Sequence, residues 1–296
     1  MDAPAPAAER VVPGLSPALR RRMRWLFRLL TALSPTLAAR VAMRLFLTPF
    51  SRRLSSAELL FLAGAHSHRL PTSLGPVYAY EWPGGGATVL VVHGWISNAA
   101  RMVEVIRALR ERGLRVVAFD APAHGRSPGR QVDLHGFRAA LAAVEARFGP
   151  IHGVVAHSFG ALTTATWLAE TPPATLRAAV LVGLPRDIGY LFESYTLAMA
   201  LQPHVIAQLR ERFRIRYGNF PEHFSARELA AHLAMPVLMV HGGADELVPA
   251  AQAVEISEQL RNGELRVIEG LRHSAPLRDP ATVSAIADFL ATQLGP

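Results

Sequence analysis

The sequence predicts an α/β fold: a mostly parallel, doubly wound sheet with a small helical cap insertion and an N-terminal helical extension. Three observations carry that prediction. From about residue 76, apolar runs of strand length alternate with stretches of helical periodicity, the pattern of a parallel sheet covered by helices on both faces. Several of those runs, Thr88–Val92 among them, are apolar almost throughout, as strands buried on both faces must be. The alternation is then broken between Leu184 and Met235, by about fifty residues where a short loop is the rule.

Composition limits what such a fold can be. The chain has 296 residues, half of them hydrophobic and 18% charged, so a large core can form and global disorder is excluded. It has no cysteine, which excludes a disulfide scaffold, a thiolate zinc site, an iron–sulfur cluster and a cysteine nucleophile. The net charge of +8 is unevenly placed. Residues 1–75 hold eleven arginines against Asp2, Glu9 and Glu58, while residues 76–296 hold twenty arginines against twenty acids. A basic arm thus precedes a neutral body, and no nucleic-acid partner is expected. The expected domains are a basic N-terminal helical extension, 1–75, and a main domain, 76–296, with its cap insertion at about 185–235.

Taken in order, the elements justify themselves as follows. The first fifteen residues or so are rich in Ala and Pro and read as disordered. Ser16-Pro17 and Ser34-Pro35 each place an N-cap before a proline at the first helical position. Ser55 and Glu58 have the spacing of a capping box. In the first helix Arg21, Arg24, Arg28 and Thr31 share one face, and Met23, Leu26, Phe27, Leu30 and Leu33 another. Basic amphipathic helices of this kind either pack on the body with their arginines in water or lie on an anionic membrane surface. The longest charge-free run of the arm, Leu29–Ala39, is eleven residues, far short of the roughly 20 needed to span a bilayer. Arg28 interrupts what would be a weak signal-peptide core. A cytoplasmic setting is therefore expected, with the inner membrane face as the surface the arm could meet.

Strands follow at Val77–Glu81, Thr88–Val92, Arg115–Phe119, Gly153–Ala156, Ala179–Gly183, Val237–Val240 and Leu265–Ile268. Helices follow at Ala99–Arg112, Leu134–Phe148, Gly160–Glu170, Ala250–Arg261 and Pro280–Gln293. Within the insertion, Ala198–Arg216 is helical in pattern. The insertion's aromatics, including Tyr190, Phe192, Tyr195 and Phe213, read first as its own small core and only second as a pocket lining.

The chemistry concentrates in a few turns. Val154-Val155-Ala156-His157-Ser158-Phe159-Gly160-Ala161 ends an apolar strand and opens a helix. Such a turn holds a serine on a tight, strained bend above the sheet, and needs small residues two positions to either side. Gly160 meets that need; Ala156 replaces the usual first glycine. His93-Gly94-Trp95 follows the strand Val89–Val92, and Phe119-Asp120 opens another loop. His241-Gly242-Gly243-Ala244-Asp245-Glu246 leaves a later strand, and Gly270-Leu271-Arg272-His273 leaves the last one.

With these motifs in order, residues 76–296 resemble the α/β-hydrolase family, in its esterase- and lipase-like serine hydrolases with a helical cap. The resemblance implies Ser158 as nucleophile, Asp245 as the acid with Glu246 as fallback, and His273 as the base. It implies the backbone N–H groups of Trp95 and Phe159 as the oxyanion hole, and leaves Asp120 structural. A serine at this position disfavours the relatives that use aspartate, the haloalkane dehalogenases and epoxide hydrolases. The implied activity is hydrolysis of a carboxylic ester or thioester through an acyl-enzyme, on a small-molecule acyl substrate, with no cofactor and no metal. An acyltransferase or carbon–carbon bond hydrolase on the same residues, and a non-enzymatic ligand binder using a capped pocket, remain as alternatives. His93 and His241 are expected to hydrogen-bond loop backbone, His157 to point beside the nucleophile, and His124 to lie in a loop near it. Gly84-Gly85-Gly86 is a turn, because no strand–helix context surrounds it. Oligomeric state is left open.

Overall fold

The computed structural model of the chain describes residues 16–50 and 53–295. They form two compact units, one of residues 48–186 with 225–296, the other of residues 16–47 with 187–224. The expected disorder of the Ala/Pro-rich start lies outside the described residues.

The larger unit is built on eight strands: β1 (His66–Leu70), β2 (Val77–Trp82), β3 (Thr88–Val92), β4 (Arg115–Asp120), β5 (Gly153–His157), β6 (Ala178–Val182), β7 (Val237–Gly242) and β8 (Gly263–Ile268). Their spatial order is β1-β2-β4-β3-β5-β6-β7-β8. From β4 through β8 neighbours run parallel, while β1, β2 and β4 pair antiparallel. Strands β3, β5 and β6 are buried at every position, which explains why they are mostly Val, Ala and Leu.

Alternate strand residues face opposite layers. On one face Val89, Val91, Val155 and Val180 join Ile106 and Leu290 in a single apolar cluster. Those two come from α4 (Val103–Glu111) and α11 (Pro280–Leu294). On the other, α5 (Leu134–Phe148) packs on β4 and α6 (Phe159–Glu170) on β5, and the outward partners Leu90, Phe119, Val154 and Leu181 are equally buried. The sheet is therefore doubly wound. The unit is completed by α3 (Ser56–Ala63), α9 (Ala226–Ala230) and α10 (Ala250–Ser257). Ser55 forms the expected capping box with Glu58.

The smaller unit joins the chain's first two helices to the insertion. These are α1 (Pro17–Leu33), α2 (Pro35–Phe46), α7 (Ile188–Ala198) and α8 (Pro203–Tyr217). Ser16 and Ser34 cap α1 and α2 as their Ser-Pro pairs predict. Helix α2 packs along α8, the Tyr195 hydroxyl donates to the Ala42 carbonyl at 3.0 Å, and the Phe46 ring lies 5.6 Å from that of Phe192 and 5.3 Å from that of Tyr195. Phe192, Tyr195 and Phe213 are buried within this unit, so these insertion aromatics serve as its core.

The structure changes three expectations. The boundary expected at residue 75 is not where the units divide: residues 48–75, with α3 and β1, belong to the sheet unit, and residues 16–47 group with the insertion. Strand β1 was not expected, because His66-Ser67-His68-Arg69-Leu70 has no apolar alternation; it is an edge strand paired with β2 and mostly exposed. The helix expected over Ala198–Arg216 starts later, as α8 at Pro203, and a further helix, α7, ends at Ala198 before it. The chain turns at Ala200, whose φ is +52°, and Pro203 opens α8, where its missing N–H and fixed φ are tolerated.

Candidate active site

Four loops at the carboxyl ends of parallel strands carry the candidate residues, the usual location of sites in open α/β sheets. Ser158 follows β5 at φ +55°, ψ −125°. Its N–H donates to the Val182 carbonyl at 2.8 Å, which continues the β5–β6 pairing one residue into the turn. A side chain rarely adopts this backbone, and packing enforces it. A Cβ on Gly160 would collide with the His93 carbonyl, so only glycine lets α6 start this close to the loop after β3. A Cβ on Gly94 would stand 3.0 Å from both the His157 carbonyl and Ser158 Cβ. The sequence requirement for small residues is thus a requirement for backbone contact.

His273 reaches this turn from the loop after β8. Its Nε2 lies 2.8 Å from Ser158 Oγ, and its Nδ1 lies 2.6 Å from Asp245 Oδ2. A proton on Nδ1 facing the carboxylate leaves Nε2 free to accept from the serine hydroxyl. Asp245, in the loop after β7, is almost fully buried. Its Oδ1 accepts the N–H groups of Leu247 and Val248, both at 2.9 Å. Its Oδ2 also stands 3.3 Å from His241 Nε2. Burial pushes the carboxyl's pKa up, but the His241 and His273 hydrogen bonds outweigh it and hold Asp245 below the usual carboxylate range. Glu246, the fallback acid, instead faces Arg272 at 3.4 Å on the surface. The structure therefore brings Ser158, His273 and Asp245 together and leaves Glu246 out.

Trp95 and Phe159 also lie side by side, their rings 5.2 Å apart and edge to face. Phe159 is the first residue of α6, where a helix has amides with no intrahelical acceptor. Trp95 precedes Ile96, a β-branched residue at φ +53°. The Ile96 N–H donates to His124 Nε2 at 3.2 Å, and the His124 ring packs against Trp95 with centroids 5.5 Å apart.

Most of the remaining histidines near the site act on backbone, as expected. His93 accepts the Ala121 N–H at Nε2 and donates from Nδ1 to the Gly94 carbonyl, at 3.0 and 2.7 Å. His124 donates from Nδ1 to the Pro122 carbonyl at 3.0 Å. His241 Nε2 donates to the Val248 carbonyl at 2.8 Å. Burial lowers His93 to about 4 and His124 to about 3, so both are neutral. Asp120 is structural: its carboxylate accepts the Tyr80 hydroxyl and the Ala99 and Arg126 N–H groups.

Two contributors were not legible beforehand. His157 lies behind His273, ring centroids 4.9 Å apart, with Nε2 3.3 Å from the His273 carbonyl. Burial lowers it to about 3, so a neutral ring backs the base. His241 gives Asp245 a second imidazole. Its signal was its place at the end of β7, four residues before the acid.

A family model described as serine aminopeptidase, S33, matches residues 85–216. A non-heme haloperoxidase of Rhodococcus erythropolis is 24% identical over 258 residues, covering 71% of this chain and 93% of that protein. A monoacylglycerol lipase of Mycolicibacterium smegmatis is 27% identical over 225 residues, 62% of this chain and 80% of the lipase. Among solved structures, the Pyrococcus furiosus esterase Pf2001 superposes with a TM-score of 0.65 at 21% identity, covering 84% of this chain and 97% of that one.

Proposed function

Because the chain belongs to the α/β-hydrolase family, we propose that it cleaves a carboxylic ester or thioester through an acyl-enzyme on Ser158. The observation that carries this reading is the hydrogen-bonded series from Ser158 Oγ through His273 to Asp245, at 2.8 and 2.6 Å. A serine hydroxyl is a weak nucleophile on its own and needs an adjacent base. His273 Nε2 is within the reach required of a general base, which typically contributes 10²–10⁴-fold.

In the reaction so proposed, Ser158 Oγ attacks the acyl carbon while its proton moves to His273 Nε2. The imidazolium formed is stabilised by Asp245, which keeps its negative charge. The carbonyl oxygen becomes an oxyanion and takes hydrogen bonds from the Trp95 and Phe159 N–H groups, with the N-terminus of α6 favouring the charge. Collapse breaks the bond to the leaving alcohol or thiol, which receives the proton from His273. Water then enters by the same steps in reverse order: His273 takes its proton, the hydroxyl attacks the acyl carbon, and Ser158 leaves reprotonated.

The test is a series of p-nitrophenyl esters of increasing acyl length. A burst of p-nitrophenol matching the enzyme concentration is expected where deacylation is slow, and Ser158→Ala abolishes turnover while the protein stays folded. Turnover retained in Ser158→Ala overturns the assignment. Adding an alcohol and measuring how product divides between acid and new ester separates hydrolysis from acyl transfer.

A further inference from the structure

Helix α1 has two apolar sides, and among the described residues only one of them is packed. Phe27 is buried, and Met23 and Leu30 are half-buried beside it. On that side α1 packs along α2, and Arg24 Nε donates to the Ala198 carbonyl at 2.9 Å. At 3.6 residues per turn, Trp25, Leu29 and Leu33 fall on one line roughly opposite Phe27. They are 64%, 60% and 71% exposed. Packing on a protein body accounts for the first side and not for the second. Scattered exposed leucines are ordinary, whereas a continuous apolar line marks a surface that meets something.

We propose that this line on α1, with Arg21, Arg22 and Arg28 beside it, docks on an anionic phospholipid bilayer with the helix axis in the surface plane. Charge selects the occupant. Helices α1 and α2 carry seven arginines and no acidic residue of their own, so the apolar line is bordered by side chains of the sign that anionic headgroups attract. A second copy of the chain is the poorer partner, because a two-fold interface would set each arginine-rich face against itself. The helix is 17 residues long with five arginines, and among the described residues no helix is long and apolar enough to cross a membrane. Its form is that of an interfacial helix. Trp25 has the ring type that settles at headgroup depth, and Arg28 stacks over it at 5.3 Å.

The inference does not rest on the hydrolase reading. It is tested by floating the full chain with vesicles of phosphatidylcholine alone or mixed with phosphatidylglycerol, following Trp25 fluorescence in parallel. The chain is expected to float with the anionic vesicles only, with a blue shift that Trp25→Phe removes. Leu29→Gln with Leu33→Gln, checked as folded by circular dichroism, should cut partitioning by about tenfold or more. Arg21→Gln and Arg22→Gln should each cut it about fivefold, and added salt should weaken what remains. Ser158→Ala should float like the wild type, which keeps this result separate from the fate of the ester reading. Wild-type protein that never floats with anionic vesicles overturns the proposal, as does a leucine variant that floats undiminished. A wild-type oligomer dissolved by the leucine variant, with no vesicle binding, would overturn it in favour of a copy-to-copy contact.

Discussion

The loops at the carboxyl end of the sheet and helix α1 are opposites in how they meet their surroundings. In the loops, backbone strain is concentrated: Ser158, Ile96 and Ala123 all have positive φ, and each is held by hydrogen bonds and close backbone contacts. The buried His93, His124 and His157 there are neutral, because burial lowers each of them. In α1 the backbone is regular and capped, yet large apolar side chains face outward. Strain persists only where surrounding structure over-determines it. A continuous exposed apolar line is a surface suited to meeting something outside the fold. The first pattern supports the proposed chemistry, and the second the proposed contact with a bilayer.

Several substitutions sharpen that contrast. The largest effect is expected at Ser158, where Ser158→Ala should lower ester turnover on the order of 10⁴–10⁶-fold with the fold retained. Asp245→Asn should follow at about 10⁴-fold, because the imidazole loses the partner that fixes its tautomer. Glu246→Gln should leave kcat within about twofold, its carboxylate being a surface partner of Arg272. If Glu246→Gln proved the more damaging, the acid would be misassigned. Gly160→Ala should cost about 3 kcal/mol in denaturant unfolding, since the added methyl meets the His93 carbonyl rather than a side chain that can move.

The buried histidines make the loops sensitive to acid. His93, His124 and His157 have folded-state values of about 4, 3 and 3 against an ordinary 6.5. Below about 6.5 the unfolded chain binds protons that the folded chain refuses. Stability conferred by neutral burial is therefore full above that pH and falls as pH drops toward 4. Each histidine contributes up to about 1.4 kcal/mol per pH unit in that window. Midpoints of urea unfolding measured at pH 7, 6 and 5 should fall steeply, and His157→Asn should flatten the slope. In α1 the contrast is within one helix: Phe27→Ala should cost about 3–4 kcal/mol, while Leu29→Ala should change stability by about 0.5 kcal/mol or less. Equal losses would mean that both sides of α1 are packed.

The same contrast explains what was legible in the sequence. The site loops could be read because each position tolerates few residue types: glycine where backbones touch at 94 and 160, a serine on the bend, histidine and aspartate just past strand ends. Strands β3, β5 and β7 were legible because burial on both faces makes them apolar almost throughout. Strand β1 was not, because an edge strand with one buried residue has no such signature. Helix α1 was legible as a helix from its cap, but not in its orientation. Its apolar residues cover so much of the circumference that periodicity alone grouped Phe27 with Leu33, which point to different sides. His157 and His241 were visible as letters, yet their place behind His273 and Asp245 depends on packing between β5, β7 and the loop after β8, contacts that no local pattern encodes.

The central claim is that Ser158 is an activated nucleophile. Mass spectrometry of the intact protein after treatment with a fluorophosphonate probe tests it most directly. One adduct is expected, mapped to Ser158 and absent from Ser158→Ala. An adduct on another residue, or none on a folded protein in which the probe's own turnover product is also missing, would contradict it.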